Sequence, residues 1–287
     1  MKNAEYEEPN VPILGMEEFR KHQLTVPEEL LYNELNGARQ IQKSHKHDFF
    51  MLILFDEGEG THTIDFRDYP IANKQLHLLF PGQVHRWDIG DRTIASQLML
   101  DRLFFERIAS YLRYAKVNYT QRPLIPLSEE SFQRLKYEFD AIKKELKQKA
   151  PLKELIHARA SVIASIISQE AENQFEEFSM FQSDPRITKF NSLIEEHYKT
   201  EKGIPFYAEQ LHISANYLNV LCKKKMQASA TQLIQQRVLL EAKRLLQSTD
   251  LSIKEIAYEL NFVDHAYFSN FFKNQTGITP SAFREKG

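Results

Sequence analysis

The last third of the chain states one pattern twice, and that repeat limits the possible folds more than any other feature. The first copy runs Tyr207-Ala208-Glu209-Gln210-Leu211-His212-Ile213-Ser214 and then Ala215 to Lys223. The second runs Ile256-Ala257-Tyr258-Glu259-Leu260-Asn261-Phe262-Val263-Asp264 and then His265 to Lys273. Ala208 matches Ala257 and Leu211 matches Leu260 at an offset of 49, while Tyr217 matches Tyr267 and Lys223 matches Lys273 at 50, so one residue is inserted at the turn. Each copy reads as a short amphipathic helix, a tight turn, and a longer helix opened by an N-cap residue and closing with lysine. Two such units predict a pair of helix-turn-helix elements of the kind that enter DNA grooves.

The residue types inside each copy support that expectation. Ser252-Ile253-Lys254-Glu255 has the form of a capping box, which sets the start of the supporting helix of the second copy. Ile256, Ala257 and Leu260 give it an inward face, Phe262 plugs the turn, Asp264 caps the next helix, and Phe268 with Phe271 or Phe272 points inward. His265, Ala266, Ser269 and Asn270, with Lys273 a turn further on, are left displayed. In the first copy Ser214 is the cap, Tyr217, Leu218, Leu221 and Cys222 are expected in the core, and Asn216, Asn219, Val220, Lys223 and Lys224 are displayed. Asparagine can pair bidentately with adenine, a small apolar group can touch a thymine methyl, and lysine can meet phosphate or guanine. The same run Lys223-Lys224-Lys225 also suits a plain solvated helix C-terminus. Between the copies, Ser229 to Gln247 reads as one continuous helix, about 30 Å long at ~1.5 Å per residue. Such a rod suits two recognition helices set about one DNA turn, ~34 Å, apart.

Charge alone does not announce a nucleic-acid partner, because the whole chain of 287 residues carries −2. From Ser183 to Gly287, however, 14 Lys+Arg stand against 11 Asp+Glu, a balance of +3 that leaves −5 for the rest. No apolar run reaches the roughly 20 residues that span a bilayer, and Met1 to Asn10 is acidic and polar, so a cytoplasmic protein without a membrane segment is expected. The single cysteine, Cys222, excludes an intrachain disulfide and a multi-cysteine zinc site, and it reads as a small buried hydrophobe.

The N-terminal part has another texture. From about Glu29 to Leu100 short β-like runs alternate with turn residues: Phe49 to Phe55 is continuously apolar, Thr61 to Phe66 alternates, Leu76 to Phe80 stops at Pro81-Gly82, and Thr93 to Leu100 follows. Many short strands at this spacing predict a barrel or sandwich. Helical periodicity then takes over, with Phe132, Leu135, Phe139, Ile142 and Leu146 on one helix and Leu152, Ile156, Ala160, Ile163 and Ile167 on the next. Such a stripe serves either the domain's own core or a seam to a second subunit. Between Glu176 and Pro185 the pattern fades, and beyond it Ile187, Phe190, Ile194 and Tyr198 predict one more helix. The expected organisation is therefore α+β in two domains: 1–175 for sensing and dimerisation, 176–185 as linker, and 186–287 all-α with both helix-turn-helix units joined by a linker helix.

Across Ile204 to Arg284 the chain resembles the C-terminal domain of the AraC/XylS family of transcriptional regulators, notably in Arg237 to Leu246 and in Ile253 through Ala266-Tyr267-Phe268-Ser269 to Phe272-Lys273 and Gly277-Ile278-Thr279-Pro280. Asn261 stands where the family prefers glycine, Gln227 replaces the glycine corresponding to Gly277, Cys222 replaces an aromatic, and Asn270 and Val220 stand where many members carry arginine. The last two suggest readout weighted towards A·T pairs. His45-Lys46-His47 and Pro81-Gly82-Gln83-Val84-His85 resemble the two short motifs of cupins, but the acidic position expected near Met51 or Leu52 is apolar.

What the resemblances imply is a DNA-binding regulator that is not an enzyme and needs no cofactor. Its partners would be double-stranded DNA, RNA polymerase, a small-molecule effector of open identity, and a second copy docked through helices within 128–169. His45, His47, His85 and Trp87 are the expected effector-pocket residues near the barrel mouth, with no resident metal. The competing readings are a cupin metalloenzyme with an accessory helical domain and an activator that needs no ligand.

Overall fold

The structure is a computed structural model that describes residues 13–19, 29–114, 116–175, 185–226 and 228–285. The chain divides into two compact units between Thr188 and Lys189. The expected linker residues 176–184 and the departure at Gln227 lie outside the described residues.

The N-terminal unit contains two five-stranded sheets. In one, β1 (Ile13–Leu14), β3 (Arg39–His47), β8 (Val84–Ile89), β5 (Gly60–Ile64) and β6 (Arg67–Pro70) lie side by side in that order. In the other the order is β10 (Leu124–Pro126), β7 (Gln75–Leu79), β4 (Phe50–Glu57), β9 (Ile94–Leu100) and β2 (Leu30–Asn36). Every pairing is antiparallel except that of β1 with β3. This is the barrel or sandwich that the run of short strands predicts.

The continuous apolar stretch around β4 is buried on both faces because it is a central strand covered twice. Phe49, Met51, Ile53 and Phe55 join Leu31, Leu35, Ile64, Trp87, Ile89 and Met99 in the interior cluster. Phe50 faces the opposite way and stacks on Phe105 of α2 (Arg102–Ile108), the helix after the short α1 (Met16–Phe19) in chain order, with ring centroids 3.5 Å apart. Leu52 lines a small apolar cavity together with Phe105, Ile108, Ala164 and Ile167, so helices cover the outer face.

α3 (Lys116–Gln121) leads into β10, and α4 (Glu129–Leu146) begins at Ser128, whose hydroxyl accepts from the Ser131 N–H. Glu170 of α5 (Lys153–Gln174) accepts from both the backbone N–H and the hydroxyl of Ser128, fastening the two helices together. Phe132, Leu135, Phe139, Ile142 and Leu146 are buried, as are Ile156, Ala160, Ile163 and Ile167. The stripe is thus filled within its own unit. Leu152 departs from the expectation: it is the N-cap of α5, where the backbone is extended, and it is exposed.

α6 (Pro185–His197) crosses the boundary, and in the C-terminal unit it is followed by α7 (Ile204–Gln210), α8 (Ala215–Met226), α9 (Ala230–Ser248), α10 (Ile253–Glu259), α11 (His265–Thr276) and α12 (Pro280–Arg284). α9 is the expected rod, started by a capping box between Ser229 and Gln232. Ala230, Ile234, Val238, Ala242 and Leu246 recur every fourth residue along its buried face, which packs against α8, α10, α11 and α12. Arg237 locks this rod to α6: its Nε lies 3.0 Å from both carboxylate oxygens of Glu195, its Nη1 donates to Glu241, and its guanidinium covers the Tyr198 ring at 3.8 Å. At the far end Arg284 donates to the carbonyls of Leu246 and Leu251. Among the described residues no helix is long and apolar enough to cross a membrane.

Candidate DNA-reading surface and barrel interior

The two copies of the repeat close their turns with the same hydrogen bonds. In the first, His212 N–H donates to the Glu209 carbonyl at 2.9 Å and Ile213 N–H to that of Ala208 at 3.0 Å. In the second, Asn261 N–H donates to Tyr258 at 2.8 Å and Phe262 N–H to Ala257 at 2.8 Å. These bonds require one left-handed residue in each turn, which His212 and Asn261 supply at φ of 53° and 54°. Ser214 Oγ then accepts from Tyr217 N–H at 3.1 Å, and Asp264 Oδ1 from Tyr267 N–H at 2.7 Å, starting the two recognition helices α8 and α11.

Beneath these turns the cores are apolar. Leu218, Leu221 and Cys222 are buried in the first copy, and Ile256, Ala257, Leu260, Phe268 and Phe272 in the second. Burial raises the Cys222 thiol to about 12, so the thiol stays protonated. Phe262 is buried against Phe268 and Phe271, each with ring centroids 5.3 Å away, and Lys202 lies 4.8 Å over its face while donating to the Asn261 carbonyl.

On the outer side of α8, Asn216, Val220, Lys223 and Lys224 are exposed; on α11, His265, Ala266, Asn270 and Lys273 are exposed and Ser269 is half-buried. Two positions differ from the sequence expectation. Tyr217 is not in the core: Leu218 takes the inward position and the tyrosine is 42% exposed, like its counterpart Tyr267 at 62%. Asn219 is partly buried, and its Oδ1 accepts from the Ala230 N–H at 3.0 Å, capping α9. A bidentate adenine pair needs both the oxygen and the nitrogen of that amide, so the cap takes one of the two lone pairs on Oδ1 and fixes the direction of the amide.

The barrel residues lie deeper than a mouth. His45 and His47 end β3, His85 and Trp87 sit on β8, and all four are buried. The register pairs His45 with His85, and each strand's alternation puts residues two apart on one face. Ring centroids of His45 and His85 are 4.1 Å apart, and Trp87 is 5.8 Å from His85. Two further histidines, which sequence reasoning missed, belong to the same interior: His62 on β5 and His77 on β7. The signal was there in Thr61-His62-Thr63-Ile64, where His62 shares the parity of the inward Ile64. Burial holds His62, His77 and His85 neutral, driving His77 down to about 3 and the other two well below the ordinary histidine value, with neighbouring histidines adding to the effect on His62 and His85. Interior polarity continues at Gln97, which accepts from Asn33 Nδ2 at 2.9 Å.

Residues 30–100 match the model of the AraC-like ligand binding domain, and residues 207–286 match a helix-turn-helix domain. The HTH-type transcriptional regulator YfiF of Bacillus subtilis is 23% identical, over 84% of this chain and 78% of its own length. The HTH-type transcriptional activator RhaS of Pectobacterium carotovorum is 22% identical, over 84% of this chain and 87% of its own. A solved structure of ToxT from Vibrio cholerae aligns with 90% of this chain and 98% of its own at 15% identity and a TM-score of 0.43. With a ligand-binding domain ahead of a helix-turn-helix domain, and relatives that keep that pairing over most of their length, the chain belongs to the AraC/XylS family of DNA-binding transcriptional regulators.

Proposed function

We propose that this regulator reads double-stranded DNA with α8 and α11 in two successive major grooves, under control of a small-molecule effector held inside the N-terminal barrel. The observation that carries the reading is that two turns with matching hydrogen bonds flank a single rod, α9, whose 19 residues measure about 28 Å at ~1.5 Å each. Asn216, Val220, Lys223 and Lys224 supply contacts from the first copy, and His265, Ala266, Ser269, Asn270 and Lys273 from the second. Asn219 serves chiefly by starting the rod.

In this scheme residues 1–175 sense and dimerise, 176–185 link, and 186–287 read DNA. The inner stripe of α5 is occupied by its own unit, which leaves the exposed Leu155 and Val162, seven residues apart, as the face for a second copy. The protein acts in the cytoplasm, where it meets DNA and RNA polymerase, and performs no catalysis; the apolar, buried Met51 and Leu52 leave no carboxylate at the position where cupin enzymes carry one. An effector acts by favouring one arrangement of the DNA-reading units over another.

Genome-wide mapping of bound sites followed by footprinting tests the reading. Protection over two adjacent major grooves on one face of the duplex is the expected result. Protection confined to one groove, or none, would overturn it.

A further inference from the structure

The segment between α6 and α7 precedes the first copy of the repeat, yet it makes contacts in both copies. On one side it is anchored. The Thr200 and Glu201 N–H groups donate to the His197 carbonyl at 3.0 and 2.8 Å, and the hydroxyl of Tyr207, a buried residue of α7, donates to the Glu201 carbonyl at 2.7 Å. On the other side it sends two lysines to the second copy. Lys199 pairs with Glu259, the last residue of α10. Lys202, just before the Gly203 N-cap of α7, donates to the Lys199 carbonyl at 2.7 Å and to the Asn261 carbonyl at 3.1 Å, with its ammonium 4.8 Å over the Phe262 ring. Asn261 is the left-handed residue of the second turn and Phe262 is its plug, so one side chain grips both the backbone and the packing that lead into the Asp264 cap of α11. Two cations at the C-terminal end of α10 also suit the dipole of that helix.

We propose that Lys202 is a positioning residue for DNA reading: it clasps the second turn to a segment anchored on α6 and on the first copy, and so fixes the direction in which α11 is presented relative to α8. The proposal rests on the two-groove reading and adds a second bridge between the copies beside α9. That bridge matters because the rod holds the second copy from the other end. Gln275 near the end of α11 donates to Gln235 of α9 at 3.3 Å, and Gln247 and Arg284 tie α9 to α12. One fastened end leaves a helix free to swing about it; a second fastening at the opposite end sets its direction. The end gripped by Lys202 is the one whose residues reach base edges when a recognition helix enters the major groove. Holding that end before binding removes an ordering cost that would otherwise fall on the complex. Burial lowers the pKa of Lys202 from its ordinary value, so arginine, which stays charged when half-buried and keeps several donors, is the conservative replacement.

The test uses the full-length chain with spin labels at Gln210→Cys on α7 and Asn274→Cys on α11, both exposed positions, the buried Cys222 being left in place. Pulsed electron–electron resonance without DNA should give one narrow distance in the parent and in Lys202→Arg. Lys202→Met keeps the apolar stem but loses the charge and the donors, and it should broaden that distance. On operator DNA found by site mapping, Lys202→Met should lose protection of the α11 groove at concentrations where the parent covers both, keep protection of the α8 groove, and regain both in Lys202→Arg. An unchanged distance in Lys202→Met overturns the clasp. So does equal loss at both grooves with a lowered thermal midpoint, which marks general destabilisation, and so does a Lys202→Arg protein that behaves like Lys202→Met. Protection of a single groove by the parent would sink the two-groove reading instead, and the distances, measured without DNA, would still decide whether Lys202 orients α11.

Discussion

The two helix-turn-helix copies reach one geometry with different side chains. Their turns share hydrogen bonds and a left-handed residue, yet the first uses histidine where the second uses asparagine, and the caps are serine and aspartate. Their helix ends differ as well: α11 stops at Gly277, left-handed at φ 80°, whereas α8 leads within a few residues to Ala230, capped by its own Asn219. Backbone geometry is thus common to both copies, while the outward faces have diverged. That is the expected outcome when the fold needs the turn but the contacted base sequence depends only on the displayed residues.

The comparison can be broken most forcefully at the two cores. Phe268→Ala removes a fully buried ring and should cost about 3 to 5 kcal/mol, while Leu218→Ala in the first copy should cost about 2 to 5. Denaturant unfolding checks both, and a near-neutral result at either site would mean that its copy is not packed as described. Arg237→Ala should affect both copies together, because α9 serves each. The arginine is 13% exposed and Glu195 is 34% exposed at its side chain, so water screens part of the loss and about 2 to 3 kcal/mol is expected. Hydrogen exchange across α8 and α11 would show whether protection falls in both or in one.

Base contacts come next in size. Val220→Ala and Asn270→Ala should each change preference at a different groove by about 1 to 3 kcal/mol, whereas Lys223→Ala should weaken all sequences alike and lower the salt slope by about one. Binding measured over a panel of operator variants at several salt concentrations separates these outcomes. The smallest effect is at the turns. His212→Gly should stabilise by about 0.5 to 1 kcal/mol, since glycine adopts positive φ without a Cβ clash, while Asn261→Gly should gain less because asparagine tolerates that region. Equal shifts in thermal midpoint for both variants would remove the distinction.

Much of the C-terminal unit was legible from residue order. The capping box at Ser252 and Glu255, the Asp264 cap and the rod from Ser229 follow from contacts within three or four positions, and the Phe262 plug from a contact six residues on. Tyr217 and Leu218 cannot be told apart from residue order, because a helix's phase is ambiguous by one residue when neighbours are both apolar, and only the packing shows that Leu218 goes inward. The role of Asn219 was invisible because its partner is 11 residues away, across the turn. In the barrel, short motifs point to His45, His47, His85 and Trp87, whereas His62 and His77 lie on strands whose inward face no short motif marks.

Sequence by itself determined the local elements of this protein: the doubled helix-turn-helix, the caps, the apolar strand and the helical stripes, all set by periodicity and by backbone preferences that act over a few residues. Tertiary structure alone decided which polar groups share an interior. His47 meets His85 across 38 residues and His62 meets His77 from the opposite sheet, through strand order and register. Strand pairing is non-local, so no short stretch of residues specifies which face of one sheet confronts which face of the other.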